Sequence, residues 1–378
     1  MIRYIDLGAD KQLNEIVFAG SHDAAITGGK RNAKTQDLDI LGQAKAGVRL
    51  FDLRIAAQDH GDAHGNGREV ALRAYHGSVT KGKAPGLVRD LGATRSVDAG
   101  KMSLGTFGMG LDKILQDAAA FVTAESSEFL LLKFDKCRNW PLIAEACVTL
   151  LGNTLYKGTG NLNTTSLRQL AGKVVVLFTG EGIRAVSSRY PVGSGILEIR
   201  SLKGKDGDKS YTPTFHGMQY YGKGGTKLGN LFGDKIKENR KTQAAIMRAG
   251  AEGHPDVIGM MYWTSTGLLE SIRQRNEKQW SVKNVSRLNQ LWREGLAESI
   301  ETRLARHVDP TQHAFGNVLK AFMPNVVMVD FADAQKCRTI YGLNHVAATA
   351  LTDAARALDD EITQLRANLA TLPRAHRG

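Results

Sequence analysis

The chain has 378 residues, 42% of them hydrophobic, enough to bury a large core in one barrel or in two smaller domains. Its 50 Lys and Arg outnumber 38 Asp and Glu, and the formal charge of +12 favours an anionic partner, either an acidic membrane surface or nucleic acid. No zinc-finger, helix-turn-helix or aromatic-basic pattern accompanies that charge, so nucleic acid is not an expected partner, and no run of about 18 apolar residues is present to cross a membrane.

The N-terminal stretch Met1-Ile-Arg-Tyr-Ile-Asp-Leu-Gly is too polar for the apolar core of a signal peptide. The expected product is cytoplasmic as made, with export by a signal-less route left open. Cys137, Cys147 and Cys337 have no metal-ligand spacing and read as reduced thiols. Eight short β-like runs follow along the chain: Glu15 to Phe18, Val48 to Ile55, Val70 to Tyr75, Phe129 to Phe134, Val174 to Phe178, Phe215 to Tyr220, Val257 to Trp263 and Val326 to Val329. Helical spacing lies between them, as in Leu111, Ile114, Leu115, Ala118, Phe121 and Val122, in Leu288, Leu291, Leu296 and Ile300, and from Val346 to Leu372. This alternation predicts an α/β fold, a distorted (β/α)8 TIM-like barrel in a single domain spanning residues 1–378. The distortion is expected between the second and third strands, which only "AAQDHGDAHGNGRE" separates; a hairpin or a missing helix would account for it. Asp59, His60, Asp62 and His64 in that segment resemble metal ligands but read as a solvated Gly-rich turn.

In such a barrel, chemistry collects at the C-terminal ends of the strands. His22 and Asp23 follow the first strand. In "GVRLFDLRI", a period of two puts Val48, Leu50, Asp52 and Arg54 on one face, and an acid and an arginine on an apolar face are costly unless paired. His76 ends the third predicted strand, Lys133 and Asp135 share a face of the fourth, Tyr262-Trp263-Thr264 end the seventh, and Asp330 ends the eighth. Each alone has a bland reading: a loop histidine, a structural ion pair, a helix cap. Together they point to one shared active site. Two histidines suit paired acid–base catalysis, Asp23 and Asp330 are available to orient them, and Arg54 offers a forked cation for phosphate oxygens. Cleavage of a phosphodiester by an internal hydroxyl needs groups of these types.

The stretches "FAGSHDA", "GVRLFDLRI", "AYHG" and "EFLLLKFDK", all within residues 15–136, together with "NVVMVDFAD" at the closing strand near 325–330, resemble the catalytic X region of phosphatidylinositol-specific phospholipase C. The resemblance implies a distorted barrel and the metal-independent mechanism of the bacterial type. It casts His22 as general base toward the inositol 2-hydroxyl and His76 as general acid toward the departing glycerol oxygen. Asp330 would orient His22, Asp23 would support His76, Arg54 would stabilise the phosphate, and Asp52 would support the group. Arg54 stands where calcium-dependent members carry a metal-binding carboxylate, so no cofactor is expected and calcium is not favoured. The chain departs from the family pattern at Asp135, where bacterial members have lysine; Lys133 could supply that cation. It departs again at Thr179, where a basic residue is expected, and at "MQYYGK", which offers Tyr220 and Tyr221 in place of an Asp-x-Tyr. Tyr220, Tyr221 and Trp263, with Asp52, Lys133 and Asp135, are the candidate substrate-binding residues.

The expected function is therefore a phospholipase C-like phosphodiesterase acting on phosphatidylinositol or a related anionic phospholipid at a membrane surface, as a monomer. Two alternatives stay open. One is a metal-dependent glycerophosphodiesterase or sphingomyelinase D-like enzyme on the same barrel, which would hold its metal with an acidic pair near strand two; the chain has Asp52 and Arg54 there. The other is a catalytically inactive lipid-binding module.

Overall fold

The computed structural model describes residues 1–29, 33–60, 69–77, 79–81, 94–96, 98–99, 102–103, 105–202, 211–223, 235–251, 253–254, 256–264, 271–306 and 324–371. In chain order its strands are β1 (Phe18–Ser21), β2 (Val48–Leu53), β3 (Ile55–His60), β4 (Glu69–Gly77), β5 (Val79–Lys81), β6 (Thr94–Ser96), β7 (Asp98–Ala99), β8 (Met102–Ser103), β9 (Gly105–Gly110), β10 (Phe129–Phe134), β11 (Lys173–Thr179), β12 (Ile196–Ser201), β13 (Gly217–Lys223), β14 (Ile258–Tyr262) and β15 (Pro324–Val329). The helices are α1 (Ile40–Ala46), α2 (Leu111–Ala124), α3 (Trp140–Leu151), α4 (Leu167–Leu170), α5 (Gly180–Val186), α6 (Lys235–Ala251), α7 (Ile272–Gln279), α8 (Val282–Arg306) and α9 (Ala334–Thr371).

Eight strands close a barrel in the order β1-β15-β14-β13-β12-β11-β10-β2, every neighbouring pair parallel. The expected distorted barrel is present. Strand alternation sorts its side chains into two cores. Phe18, Leu50, Leu131, Val175, Leu177, Leu197, Met218, Met260 and Met328 fill the lumen. Leu132, Val176, Phe178, Met261, Val327 and Val329 face outward against α2, α3, α8 and α9. Among the described residues no helix is long and apolar enough to cross a membrane.

The membership of the barrel differs from the sequence expectation in three places. The first strand begins at Phe18, because Glu15 is held in a 3-10 turn by a capping box with Gln12. Small residues then suit the wall: a Cβ on Gly20 would lie 2.2 Å from Met328 Sδ, which occupies the lumen at that level. Second, Val70 to Tyr75 belongs to β4, outside the barrel, in an antiparallel sheet of order β3-β4-β9. The chain breaks step at Arg54, and β3 leaves the wall to form the hairpin. Third, the eighth wall strand is β12, "ILEIRS", which the sequence reading passed over. No described helix follows it, so its outer positions Glu198 and Arg200 are polar and half-buried, and the apolar signal is short. Val48 also departs from the period of two: it packs outward while Leu50 packs inward, and the β1–β2 register shifts at this level. Two small ribbons, β5 with β6 and β7 with β8, complete the sheets. Asp62 and His64 lie outside the described residues.

Candidate active site

Along each wall strand the inward positions turn from apolar to polar at the C-terminal end. Phe18 and Gly20 lead to His22, Leu50 to Asp52 and Arg54, and Leu131 to Lys133 and Asp135. Met218 leads to Tyr220, Met260 to Tyr262, and Met328 to Asp330. A period of two therefore delivers six strands' polar groups to one mouth.

There His22, Asp23, Arg54, His76 and Asp330 form one connected chain. The His22 Nδ1–H donates to Asp330 Oδ1 at 2.9 Å, and the His76 Nδ1–H donates to Asp23 Oδ2 at 2.6 Å. The same Asp23 carboxylate lies 3.6 Å from His22 Nε2 and 3.2 Å from Arg54 Nε. His76 reaches the site from β4 because that strand runs beside Arg54: Tyr75 N donates to Arg54 O at 2.9 Å, and Tyr75 Oη donates to Lys136 O. Asp23 and Phe331, next to Asp330, are held at φ 42° and 47°, in the left-handed region that non-glycine residues seldom adopt. This local strain is tolerated because the surrounding backbone is tied down. His22 N donates to Val329 O, Ala24 N to Asp52 O and Phe331 N to Thr35 O.

Electrostatics follow from that geometry. Burial disfavours the His22 cation, but the charges of Asp23 and Asp330 outweigh it and hold the imidazole up at about 9. Burial opposes the Asp23 carboxylate too, yet His22, His76 and Arg54 keep it far below the usual carboxylate range. A second pair lies deeper: Lys133 Nζ donates to Asp52 Oδ1 at 2.7 Å and to Asp135 Oδ2 at 3.4 Å. Lys133 and Asp52 are 1% and 4% exposed. Lys133 keeps its charge against burial through Asp52, and it lowers Asp135 in turn.

Among the described residues, His22, Asp23 and Asp52 are the one set of three or more His, Cys, Asp or Glu whose ligand atoms all lie within 4.8 Å of one another. The donor set does not fit a divalent ion. Asp23 is engaged by His76 and Arg54, and Asp52 by Lys133, so an ion would have to displace two fixed cations.

Two expected substrate-binding residues are not at the mouth. Tyr221 is buried outside the barrel with Leu202, Ile246 and Val257. Trp263 is fully buried in the outer core. Both have the wrong parity, one position off Tyr220 and Tyr262, which do face the lumen. Tyr262, placed at the end of the seventh strand but not among the expected substrate-binding residues, meets the His22 ring edge-on, centroids 6.1 Å apart. Thr35, Gln36 and Asn276 were missed. Gln36 Nε2 donates to His22 O at 2.9 Å and its Oε1 accepts from Ala332 N at 2.9 Å, while Asn276 Nδ2 donates to Asp330 O at 2.8 Å. Thr35 Oγ1 donates to Asp23 O at 2.8 Å. No local signal marks these residues, since the backbone they hold is distant in sequence or belongs to irregular loops.

The fold defines a class: a closed eight-stranded parallel barrel with its polar cluster at the carboxyl ends of the strands, a fold shared by solved bacterial phospholipases C. The fold is similar to that of a phosphatidylinositol-specific phospholipase C from Listeria monocytogenes, with a TM-score of 0.50 over 88% of this chain and 94% of that one, at 14% sequence identity. A phosphatidylinositol-specific phospholipase C from Staphylococcus aureus is 17% identical over 90% of this chain and 96% of that one, TM-score 0.47. A calcium-dependent phosphoinositol-specific phospholipase C from a Pseudomonas species is 12% identical over 68% and 85%, TM-score 0.37. No protein-family model matches the chain, and no curated protein does.

Proposed function

We propose that the chain is a phospholipase C-like phosphodiesterase that cleaves phosphatidylinositol or a related anionic phospholipid, giving diacylglycerol and a cyclic inositol phosphate. One observation carries the reading: His22 and His76 bind Asp330 and Asp23 through Nδ1, which leaves their Nε2 atoms, that of His22 3.6 Å from Asp23 and beyond hydrogen-bond reach of it, to exchange protons with a substrate. The inositol 2-hydroxyl gives its proton to His22 Nε2, and its oxygen bonds to phosphorus. The bond from phosphorus to the glycerol oxygen breaks, and that oxygen takes the His76 Nε2 proton. Arg54 stabilises the charge on the phosphoryl oxygens. An internal hydroxyl is already beside the phosphorus, and such proximity is worth about 7–11 kcal/mol of barrier. Phosphorus NMR of an early time course tests this. A five-membered cyclic phosphate forms before any acyclic monoester. If the monoester comes first, or lipids lacking a neighbouring hydroxyl are cleaved as fast, direct attack by water replaces the scheme.

The raised His22 pKa predicts the pH profile. With its proton held up to about 9, the imidazole begins as the cation at neutral pH and must be neutral to act as base. Log kcat/KM therefore climbs with pH, about tenfold per unit at first, and bends near 9. Asp330→Asn removes a raising charge and moves the bend to lower pH; a wild-type bend near 6.5 would contradict the assignment. The linked stability has the opposite sense. It is fully present below the unfolded pKa of about 6.5 and is lost as pH rises through 9.

Arg54 and Lys133 already supply the site's positive charge, so a chelator titration leaves the rate unchanged. Activity lost to chelation and restored by calcium would favour the metal-dependent reading, and no turnover on any phospholipid would favour the inactive lipid-binding module.

A further inference from the structure

Helix α9 begins beside the site and extends beyond the other end of the barrel. It starts four residues after Asp330, and by Asn344 it has reached the foot of β1. There Asn344 Oδ1 accepts from Val17 N and its Nδ2 donates to Val17 O, both at 2.7 Å. A further 27 residues at ~1.5 Å each carry it ~40 Å onward. Over residues 352–371 most positions are exposed.

The apolar spacing of this segment is heptad. Leu351, Ala355, Leu358, Ile362, Leu365, Leu369 and Leu372 follow in alternating steps of four and three, and every seventh residue from 351 to 372 is leucine. That places Leu at successive d positions and Ala355, Ile362 and Leu369 at a; Ile362 between two d leucines is the pairing that favours two strands. Ala355, Leu358 and Ile362 are half-buried, while Leu365 and Leu369 are 59% and 57% exposed.

Charge selects the partner. Asp353, Asp359, Asp360 and Glu361 outnumber Arg356 and Arg366, so this stretch is acidic on a chain of net charge +12. An acidic face does not suit an anionic lipid surface. It does suit a second copy of itself: Glu361 at g and Arg366 at e are five residues apart, so a parallel, in-register pair brings each against the other across the seam, twice by symmetry.

We infer that residues 351–371 form a parallel two-stranded coiled coil with a second copy of this chain, in place of the monomer expected from the sequence. Both barrels then sit at the same end of the stalk, joined at the ends opposite their sites. Both mouths face away from the stalk, so a dimer presents two sites to one lipid surface; this last consequence alone rests on the proposed activity.

Sedimentation equilibrium of the full chain tests the dimer independently of turnover. The expected mass is twice 41.1 kDa. The double variant Leu365→Asp, Leu369→Asp removes four leucines from the shared seam and raises the dissociation constant ~100-fold or more. Its barrel stays folded and its rate on a water-soluble substrate is unchanged, because neither residue touches the site. Cys137, Cys147 and Cys337 are buried, so Leu365→Cys introduces an isolated accessible thiol at a d position. Mild oxidation joins two chains through it, whereas Arg356→Cys on the outer face gives none. A wild-type mass of 41.1 kDa at high micromolar concentration would overturn the inference. So would a dimer that survives the double aspartate variant, or one that Leu365→Cys does not cross-link.

Discussion

Alanine at His22 or at His76 lowers kcat/KM on phosphatidylinositol by at least ~10⁴-fold, and the double variant is little worse than either single one. Each proton transfer is worth about 10²–10⁴-fold alone, and groups that act as a unit lose more together than apart. The shared Asp23 makes them such a unit, since one carboxylate touches His76 Nδ1 and lies beside His22 Nε2 and Arg54. Removing the His76 ring takes away a hydrogen-bond donor to a buried carboxylate, removing the His22 ring takes away a charge beside it, and either loss disturbs what remains. Steady-state rates on mixed vesicles check this, with circular dichroism showing that the variants fold. Residual activity within tenfold of wild type at either position would remove that histidine from the chemistry.

Glu128→Ala destabilises the fold by ~3–5 kcal/mol without changing the rate per folded molecule. Arg49 is fully buried, with its Nε and Nη2 each 2.9 Å from Glu128 Oε2. Its guanidinium also donates to Ala44 O, Val48 O and Ile2 O, and lies over the Tyr4 and Phe121 rings at 5.1 and 4.9 Å. Loss of the carboxylate leaves an uncompensated charge in the interior, the costly way to break a buried pair. Arg49 lies at the start of β2 and Glu128 just before β10, at the end of the barrel away from His22, so catalysis is spared. Urea unfolding should show a lower midpoint with an unchanged slope. The double variant Arg49→Met, Glu128→Leu recovers part of the loss, because the unpaired charge is gone. A Glu128→Ala midpoint equal to wild type would show that the carbonyls and rings hold Arg49 without it.

The sequence by itself determined the barrel class and the polar groups of its mouth. Strand alternation is local: once Gly20, Asp52, Lys133 and Met328 are placed on wall strands, period two fixes which neighbours point inward. His22, Arg54, Asp135 and Asp330 follow from that rule, and strict use of it would have selected Tyr262 over Trp263 and Tyr220 over Tyr221. Only the tertiary structure decided which strands make the wall. β4 gives the clearer run in sequence yet lies outside the wall, and β12 gives the weaker one yet lies in it; whether a run joins the barrel depends on the break at Arg54 and on partners far along the chain. It also decided the state of the site. That Asp23 serves both histidines and Arg54, that Lys133 is spent on Asp52, and that Gln36 and Asn276 clamp the loops depends on distances between residues up to 296 apart in sequence, as Gln36 and Ala332 are. Those distances arise only from barrel closure, and the site's pKa values depend on them because charge interactions inside a protein act across space, not along the chain.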